Sequence, residues 1–367
     1  MQRKKKTNLS KQIKDHSEKE TSKNIIEQFT KDDLIPMGCT LLNLAMSGTL
    51  HGGAKKGSMI NIIGASHGGK TILALTSFAE ANQSKAFDKY KFLYDDVERA
   101  NSFDMPYMFG ESAAKRITPP RTDKDDQFSI TVQHFHANVR HHINNKVPFI
   151  YVLDSFDALD ALEDQEKADK MIEALEADKK TAGTYGMAKA KGASGILRNV
   201  TGEMSDSKSV LYVISQTRDD VNPKSFSTET RSGGRALKFY AHHEMWLRPI
   251  GVIKKKDTPI GNKIRVRITK NKLTGRSREV ELDVYYDYGI DDIGSCIDYL
   301  IAMEHWSGGG KKKISTNNDF DFDDCTRDKL IRLIEKEDKH KELQKIVESV
   351  WNEFEDSLKL KRKRKYN

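Results

Sequence analysis

Residues 64–71 read Gly64-Ala65-Ser66-His67-Gly68-Gly69-Lys70-Thr71, the spacing G-x-x-x-x-G-K-[ST]. Glycines in such a loop let backbone N–H groups face a phosphate without Cβ clashes. A helix opening at the end of the loop adds a favourable dipole for an anion. Lys70 brings a point charge to the β- and γ-phosphates, and the Thr71 hydroxyl can hold Mg²⁺. The chemistry this predicts is the gripping of a nucleoside triphosphate.

Hydrolysis needs more groups at neighbouring strand ends. Residues 150–153 are apolar and run into Asp154, a carboxylate placed to orient a Mg²⁺-bound water beside the phosphate loop. Glu98 follows the run 92–94 and is the candidate base for water, with Asp95 and Asp96 as alternatives. Gln216 closes the run 210–214, where a side-chain amide could sense the γ-phosphate.

The elements that must position these groups follow from pattern. Residues 59–63 read as a buried strand and 72–81 as the helix after it; 91–94, 149–153 and 210–214 read as further strands. Phe128, Val132, Phe135, Val139 and Ile143 have helical spacing. Such alternation implies an α/β fold with a mainly parallel sheet covered by helices. Residues 245–247, 264–268 and 280–286 look like strands without intervening helices. Residues 307–325, starting Ser307-Gly308-Gly309-Gly310 and then Lys- and Asp-rich, read as a flexible connector. Beyond it, apolar positions from Leu330 to Phe354 fit two amphipathic helices.

The chain has 367 residues, with 62 Lys and Arg against 54 Asp and Glu, a formal charge of +8 concentrated at both ends. These ends read as solvated tails or as arms for a polyanion. No window approaches ~18 consecutive apolar residues, so no membrane span is expected. The basic, polar first thirty residues are not a secretory signal. Cys39, Cys296 and Cys325 lie far apart and form no disulfide framework, so a reducing compartment is the default. His134, His136, His141 and His142 scatter around a helix and offer no converging metal set.

On these residues the chain resembles the RecA family of recombinases. Residues 41–48 are similar to the family's lead-in helix, 96–100 to the segment with its catalytic glutamate, and 153–155 to its Mg²⁺ strand. Residues 233–241, Gly-Gly-Arg-Ala-Leu-Lys-Phe-Tyr-Ala, are close to the end of its second DNA loop, and Thr269-Lys270-Asn271-Lys272 resembles its lysine pair. A phage-type recombinase of the UvsX group fits the divergence. The resemblance implies a RecA-like P-loop ATPase core over residues 36–288, preceded by a basic arm and docking helix (1–35, with Ile25, Ile26 and Phe29) and followed by a small, mainly helical C-terminal domain with a basic tail (289–367).

The resemblance also implies roles. ATP binds at Gly64, Gly69, Lys70 and Thr71, with Mg²⁺ on Thr71 and Asp154, while Glu98 activates water and Gln216 couples the γ-phosphate to a second DNA loop, roughly 217–235. Lys270 and Lys272 complete the site of the adjacent protomer in a helical filament. Lys191, Ser194 and Arg198 fall on first-loop DNA contacts, and Arg218, Gly233 and Gly234 on second-loop contacts. The expected activity is a DNA-dependent ATPase that coats single-stranded DNA and pairs it with homologous duplex. Its expected setting is the bacterial nucleoid or phage-infected cytoplasm, with a single-strand-binding protein or loader as a further partner. The alternatives are a recombination mediator using ATP as a switch and a hexameric helicase motor.

Departures from the family are local. His67 replaces a small residue, Met105 falls where the adenine-stacking aromatic stands with Tyr107 two residues on, residues 163–184 look longer than usual, and the tail is basic where bacterial members are acidic. Independently of any resemblance, lysines and arginines share residues 179–198 with glycines, and Lys224, Arg231 and Arg235 do the same further on. Neither segment carries a base-reading set, so phosphate-dominated, sequence-tolerant binding of single strands is expected.

Overall fold

The computed structural model describes residues 29–30, 32–125, 127–161, 187–219, 229–231 and 234–362. Ile25, Ile26, the segment 163–184 and the last residues of the basic tail lie outside the described residues.

Strand β1 (Leu34–Ile35) pairs with β2 (Ala54–Lys55), and between them lies helix α1 (Thr40–Ser47). β3 (Met59–Gly64) leads through the phosphate loop into α2 (Lys70–Asn82), and β4 (Lys91–Asp96) follows. Short helices α3 (Met105–Phe109) and α4 (Glu111–Arg116) precede the edge strand β5 (Ile117–Thr118). Then come α5 (Val132–Asn144), β6 (Phe149–Asp154), α6 (Met187–Asp206), β7 (Val210–Asp219), β8 (Glu229–Arg231) and α7 (Gly234–Tyr240). The strands β9 (His243–Lys255), β10 (Thr258–Asn271), β11 (Arg278–Tyr285) and β12 (Gly289–Asp291) follow one another without a helix. α8 (Asp292–Ala302), β13 (Ser307–Gly309), β14 (Lys312–Ser315), α9 (Arg327–Lys336) and α10 (His340–Ser357) complete the described chain.

Among the described residues the main sheet has ten strands in the order β12-β11-β10-β9-β3-β7-β6-β4-β5, with β8 added beside β7. From β9 to β5 the pairings are parallel. From β9 to β12 they are antiparallel. β3 and β6 are buried at every position, because helices cover both faces, and this is why they read as continuous apolar runs.

Alternate residues serve opposite layers. Ile150 and Val152 of β6, and Val210, Tyr212 and Ile214 of β7, join a core with α1, α2 and the C-terminal helices. Phe149, Tyr151 and Leu153, with Leu211 and Val213, join a second core with α5, α6 and α7. The period of two along each strand produces this three-layer α/β architecture.

Two expectations change. α5 starts at Val132 because Thr131 caps it, its hydroxyl accepting from His134 N at 3.1 Å, so Phe128 lies outside the helix. Residues 307–325 are not a flexible connector: β13 pairs with β14, Ile314 bridges Cys325, and Trp306, Ile314 and Phe320 are buried. Their glycines serve a tight reversal, with φ of 105°, 91° and 63° at Gly308, Gly309 and Gly310. The residues after 288 share the main core, since Leu330, Ile334, Leu343 and Trp351 pack in one cluster with Ile72 and Leu41. Polar ties reinforce this join. Asp292 accepts from the Thr40 amide and hydroxyl, both at 2.7 Å, and His340 Nε2 lies 2.9 Å from it.

Candidate nucleotide site and basic segments

The C-terminal ends of β3, β4, β6 and β7 lie side by side, in register Gly64↔Gln216 and Asp96↔Asp154. A cleft of ≈ 470 Å³ opens there, lined by His67 to Ile72, Tyr94, Asp96, Glu98, Phe103 and Asp154, and by Asn262, Ile264 and Val284 from the antiparallel strands and Tyr286 just after β11. That volume is in the range of small-molecule sites.

Backbone constraints shape the loop. Gly64 closes β3 where a Cβ would sit 2.6 Å from Leu247 O, so a side chain would push the loop off β9. Gly69 has φ 78° and caps α2, a left-handed position at which glycine carries no Cβ penalty. His67 also sits left-handed, at φ 60°, and is exposed on the cleft. Ala65 accepts from Gly68 N at 3.2 Å, which folds the loop into a turn.

Lys70 is buried, and its ammonium donates to Gly64 O at 2.8 Å and Ala65 O at 2.6 Å. Burial lowers its pKa, opposed by the charges of Asp154, Glu98 and Asp157. The Thr71 hydroxyl donates to Asp154 Oδ2 at 2.7 Å, and the Tyr94 hydroxyl donates to the same oxygen at 3.1 Å. Burial pushes the Asp154 carboxyl up, against the pull of these two bonds, and the charges of Glu98 and Asp96 add to the rise.

Such a donor set fits a triphosphate with its cation. Hydroxyl and carboxylate oxygens suit a hard divalent ion, which would relieve the crowding of carboxylates around Asp154. The buried ammonium and the turn amides suit the anion.

The three acidic candidates for activating water separate by geometry. Asp95 is fully buried and accepts from Ser129 N at 2.8 Å, from Ser129 Oγ at 2.5 Å and from Tyr151 OH at 2.5 Å. It is a structural staple of the opposite layer. Asp96 accepts from Asn101 N at 3.1 Å and closes the turn after β4. Glu98 is exposed to the cleft, accepting from Ser155 Oγ at 2.5 Å, with Gln216 Nε2 at 3.4 Å. The Gln216 amide N–H donates to Asp157 Oδ2 at 2.7 Å.

Neither residue weighed for adenine stacking lines the cleft: Met105 packs on the core, and Tyr107 is 72% exposed on α3. Phe103, Ile264, Val284 and Tyr286 make the apolar wall instead. Sequence spacing missed them because three come from far along the chain. Tyr94 was legible in principle, two residues before Asp96 on one strand face.

Lys270 and Lys272 do not line this cleft. Lys270 Nζ donates to Lys238 O at 2.6 Å and Phe239 O at 2.9 Å, at the end of α7, beside a Phe239 that is 72% exposed. The Lys272 amide donates to His242 O at 3.0 Å.

The first basic segment differs from the expected glycine-rich loop, because from Met187 onward it is helix α6. Positions 191, 194 and 198 share one face by spacing. Arg198 is exposed and Ser194 half-buried, while Leu197, Val200 and Met204 pack inward; the side chain of Lys191 lies outside the described residues. In the second segment, Arg218 is on β7, Arg231 is on β8 opposite Thr217, and Gly234 and Arg235 start α7. The side chains of these arginines and all of Gly233 lie outside the described residues.

Among the described residues, no helix is long and apolar enough to cross a membrane.

Comparison with known proteins extends this picture. The family model described as the RecA N-terminal domain matches residues 167–291, which include α6 and β7 to β12. The chain is 30% identical over 281 residues to "Protein RecA" of Bartonella henselae, covering 76% of this chain and 72% of that one. It is 30% identical over 275 residues to that of Acidothermus cellulolyticus (74% and 71%) and 28% identical over 269 residues to that of Geobacter metallireducens (73% and 71%). Identity over about three quarters of the chain, well beyond the stretch the family model matches, makes this protein a member of the RecA family.

Proposed function

We propose that this protein is an ATP-dependent DNA recombinase, which coats single-stranded DNA as a filament and exchanges it with a homologous duplex. One observation carries the reading. The cleft that holds Lys70, Thr71 and Asp154 reaches Gln216 through Glu98, and the strand bearing Gln216 runs on into the second basic segment.

In this reading the loop amides of residues 64–71 and Lys70 bind the β- and γ-phosphates of ATP. Thr71 and Asp154 hold Mg²⁺, which offsets charge on the phosphate oxygens. Tyr94 holds the Asp154 carboxylate in place. Glu98 accepts a proton from the attacking water, released from Ser155 when substrate is seated. Gln216 turns its amide from Glu98 to the γ-phosphate, and Thr217 to Arg235 respond.

Lys191, Ser194, Arg198, Arg218, Arg231, Gly233, Gly234 and Arg235 contact the single strand, mainly through phosphate oxygens. Lys270, Lys272 and the exposed Phe239 belong to the contact between protomers, with the lysines directed at the neighbour's ATP. The protein acts where chromosomal or phage DNA is reached, in the cytoplasm.

Turnover of ATP with and without single-stranded DNA tests the reading, together with joint-molecule formation between homologous DNAs. Hydrolysis stimulated by the single strand, with joint molecules formed, is the expected result. Turnover indifferent to DNA removes the reading. Nucleotide binding with DNA loading but no joint molecules makes the protein a mediator.

A further inference from the structure

We propose that Asp157 is a positioning residue that couples the nucleotide cleft to the second polynucleotide segment, by latching the main chain of Gln216 to the strand end that carries Asp154. The inference rests on the functional reading above and adds a component to it.

Gln216 is a junction. It is the last β7 residue in register with β3, opposite Gly64, and the next residue, Thr217, starts the ladder with β8. A residue between two ladders needs a fixed point if movement in one is to be felt in the other. The Gln216 side chain does not supply it, since its contact with Glu98 is long, at 3.4 Å. The main chain does: the Gln216 amide donates to the Asp157 carboxylate at 2.7 Å, a charge-assisted bond.

The acceptor is itself held. Asp157 lies in the single turn Phe156–Ala158 directly after the Asp154 strand, and Phe156 is buried in the α5–α7 core. The latch thus joins the phosphate end of β6 to the strand that continues into the basic segment. With the backbone of Gln216 held, its side chain can swing between Glu98 and a γ-phosphate. The swing then changes the torsions entering Thr217 rather than dragging the strand end.

The test uses the full-length protein with Asp157→Ala and Asp157→Asn. Asn keeps an oxygen that can accept the same bond; Asp157→Ser replaces the Ala variant if that one fails to fold. Two readouts are taken: hydrogen exchange over residues 216–231 with and without a non-hydrolysable ATP analogue, and the ratio of ATP turnover with and without single-stranded DNA. In the Ala variant the Gln216 amide should exchange faster, the nucleotide-dependent change over 217–231 should vanish, and the DNA stimulation should fall about tenfold, within the usual span of coupling energies. KM for ATP and DNA-free turnover should stay at parental values, and Asn should restore most of the coupling. An Ala variant with parental coupling overturns the latch, and so does an Asn variant as impaired as Ala. A parent with neither a nucleotide-dependent change nor DNA stimulation overturns the functional reading together with the latch.

Discussion

At the phosphate end of β3, the groups with proposed chemistry are clamped. Lys70 is held by two carbonyls, Asp154 by two hydroxyls and Glu98 by Ser155. On α6, by contrast, Arg198 is exposed over a helix whose other side is packed by Leu197, Val200 and Met204. Hydrolysis turns on placement to a fraction of an ångström, and the residues proposed for it sit at or just beyond the ends of buried strands. Contact with a polynucleotide backbone is a sum of exposed cations screened by salt, and the residues proposed for it need only a supported surface. Single changes should therefore be severe at the first region and graded, salt-dependent and nearly additive at the second.

The sharpest break of that contrast is Lys70→Ala. ATP turnover should fall about 10²–10³-fold, the usual loss for removing one charge-stabilising group, with thermal stability retained; steady-state kinetics and a melting curve read both. Next is Glu98→Gln, expected to cost about 10²-fold in turnover while nucleotide affinity stays parental. Equal losses in affinity and rate would mean that Glu98 binds rather than activates. Tyr94→Phe removes one bond to Asp154, and the Mg²⁺ concentration needed for half-maximal nucleotide binding should rise about ten- to a hundredfold, the worth of a hydrogen bond to a charged group.

On the other region, Arg198→Ala should weaken single-strand binding modestly and lower the slope of log affinity against log salt by about 1, leaving nucleotide binding unchanged. A loss that does not depend on salt would give Arg198 a structural role.

The smallest effect lies away from both regions, at the tie between α10 and α1. The hydrogen bond that His340 donates to Asp292 raises the His340 pKa, and that carboxyl is held down by His340 and Thr40. A raised histidine contributes stability in full below its ordinary value of 6.5, and the contribution fades as pH climbs through the raised value. The lowered Asp292 supports the pair above its ordinary 3.8. His340→Gln should therefore lower the melting temperature more at pH 6 than at pH 8. The loss should be about 1 kcal/mol or less, because the half-exposed histidine is screened by solvent.

The parts that were legible in the sequence are those where one physical demand dominates. Residues 59–63 and 150–153 read as strands because a twice-covered strand must be apolar at every position, and 64–71 was legible as a tight strand-to-helix turn because few residue types tolerate its backbone. Lys70, Thr71, Asp154 and Glu98 meet at one cleft because each closes a parallel strand or follows it, while Gln216 touches it only through Glu98, since β7 runs on to Asp219 instead of ending at residue 214.

Composition misled where glycine has two meanings. Gly308, Gly309 and Gly310 looked like a linker but make a reversal whose flanks bury Trp306 and Ile314. Gly192 and Gly195 looked like loop residues but lie within α6. The apolar wall of the cleft was hidden for a different reason. Ile264, Val284 and Tyr286 reach it only because β9 to β12 fold back beside β3, a pairing that local pattern does not encode. The Asp157–Gln216 bond is equally invisible, since the two residues are brought together by the crossover between β6 and β7.

The central claim is that a triphosphate gripped at Lys70 controls how the protein holds a single strand. The direct measurement is single-strand affinity at fixed salt, with and without a non-hydrolysable ATP analogue, alongside electron microscopy of the same samples. The account predicts that the analogue tightens binding and yields continuous helical filaments for the parent, and does neither for Lys70→Ala. Parental and Lys70→Ala proteins that bind alike and form the same filaments, with or without the analogue, would contradict it.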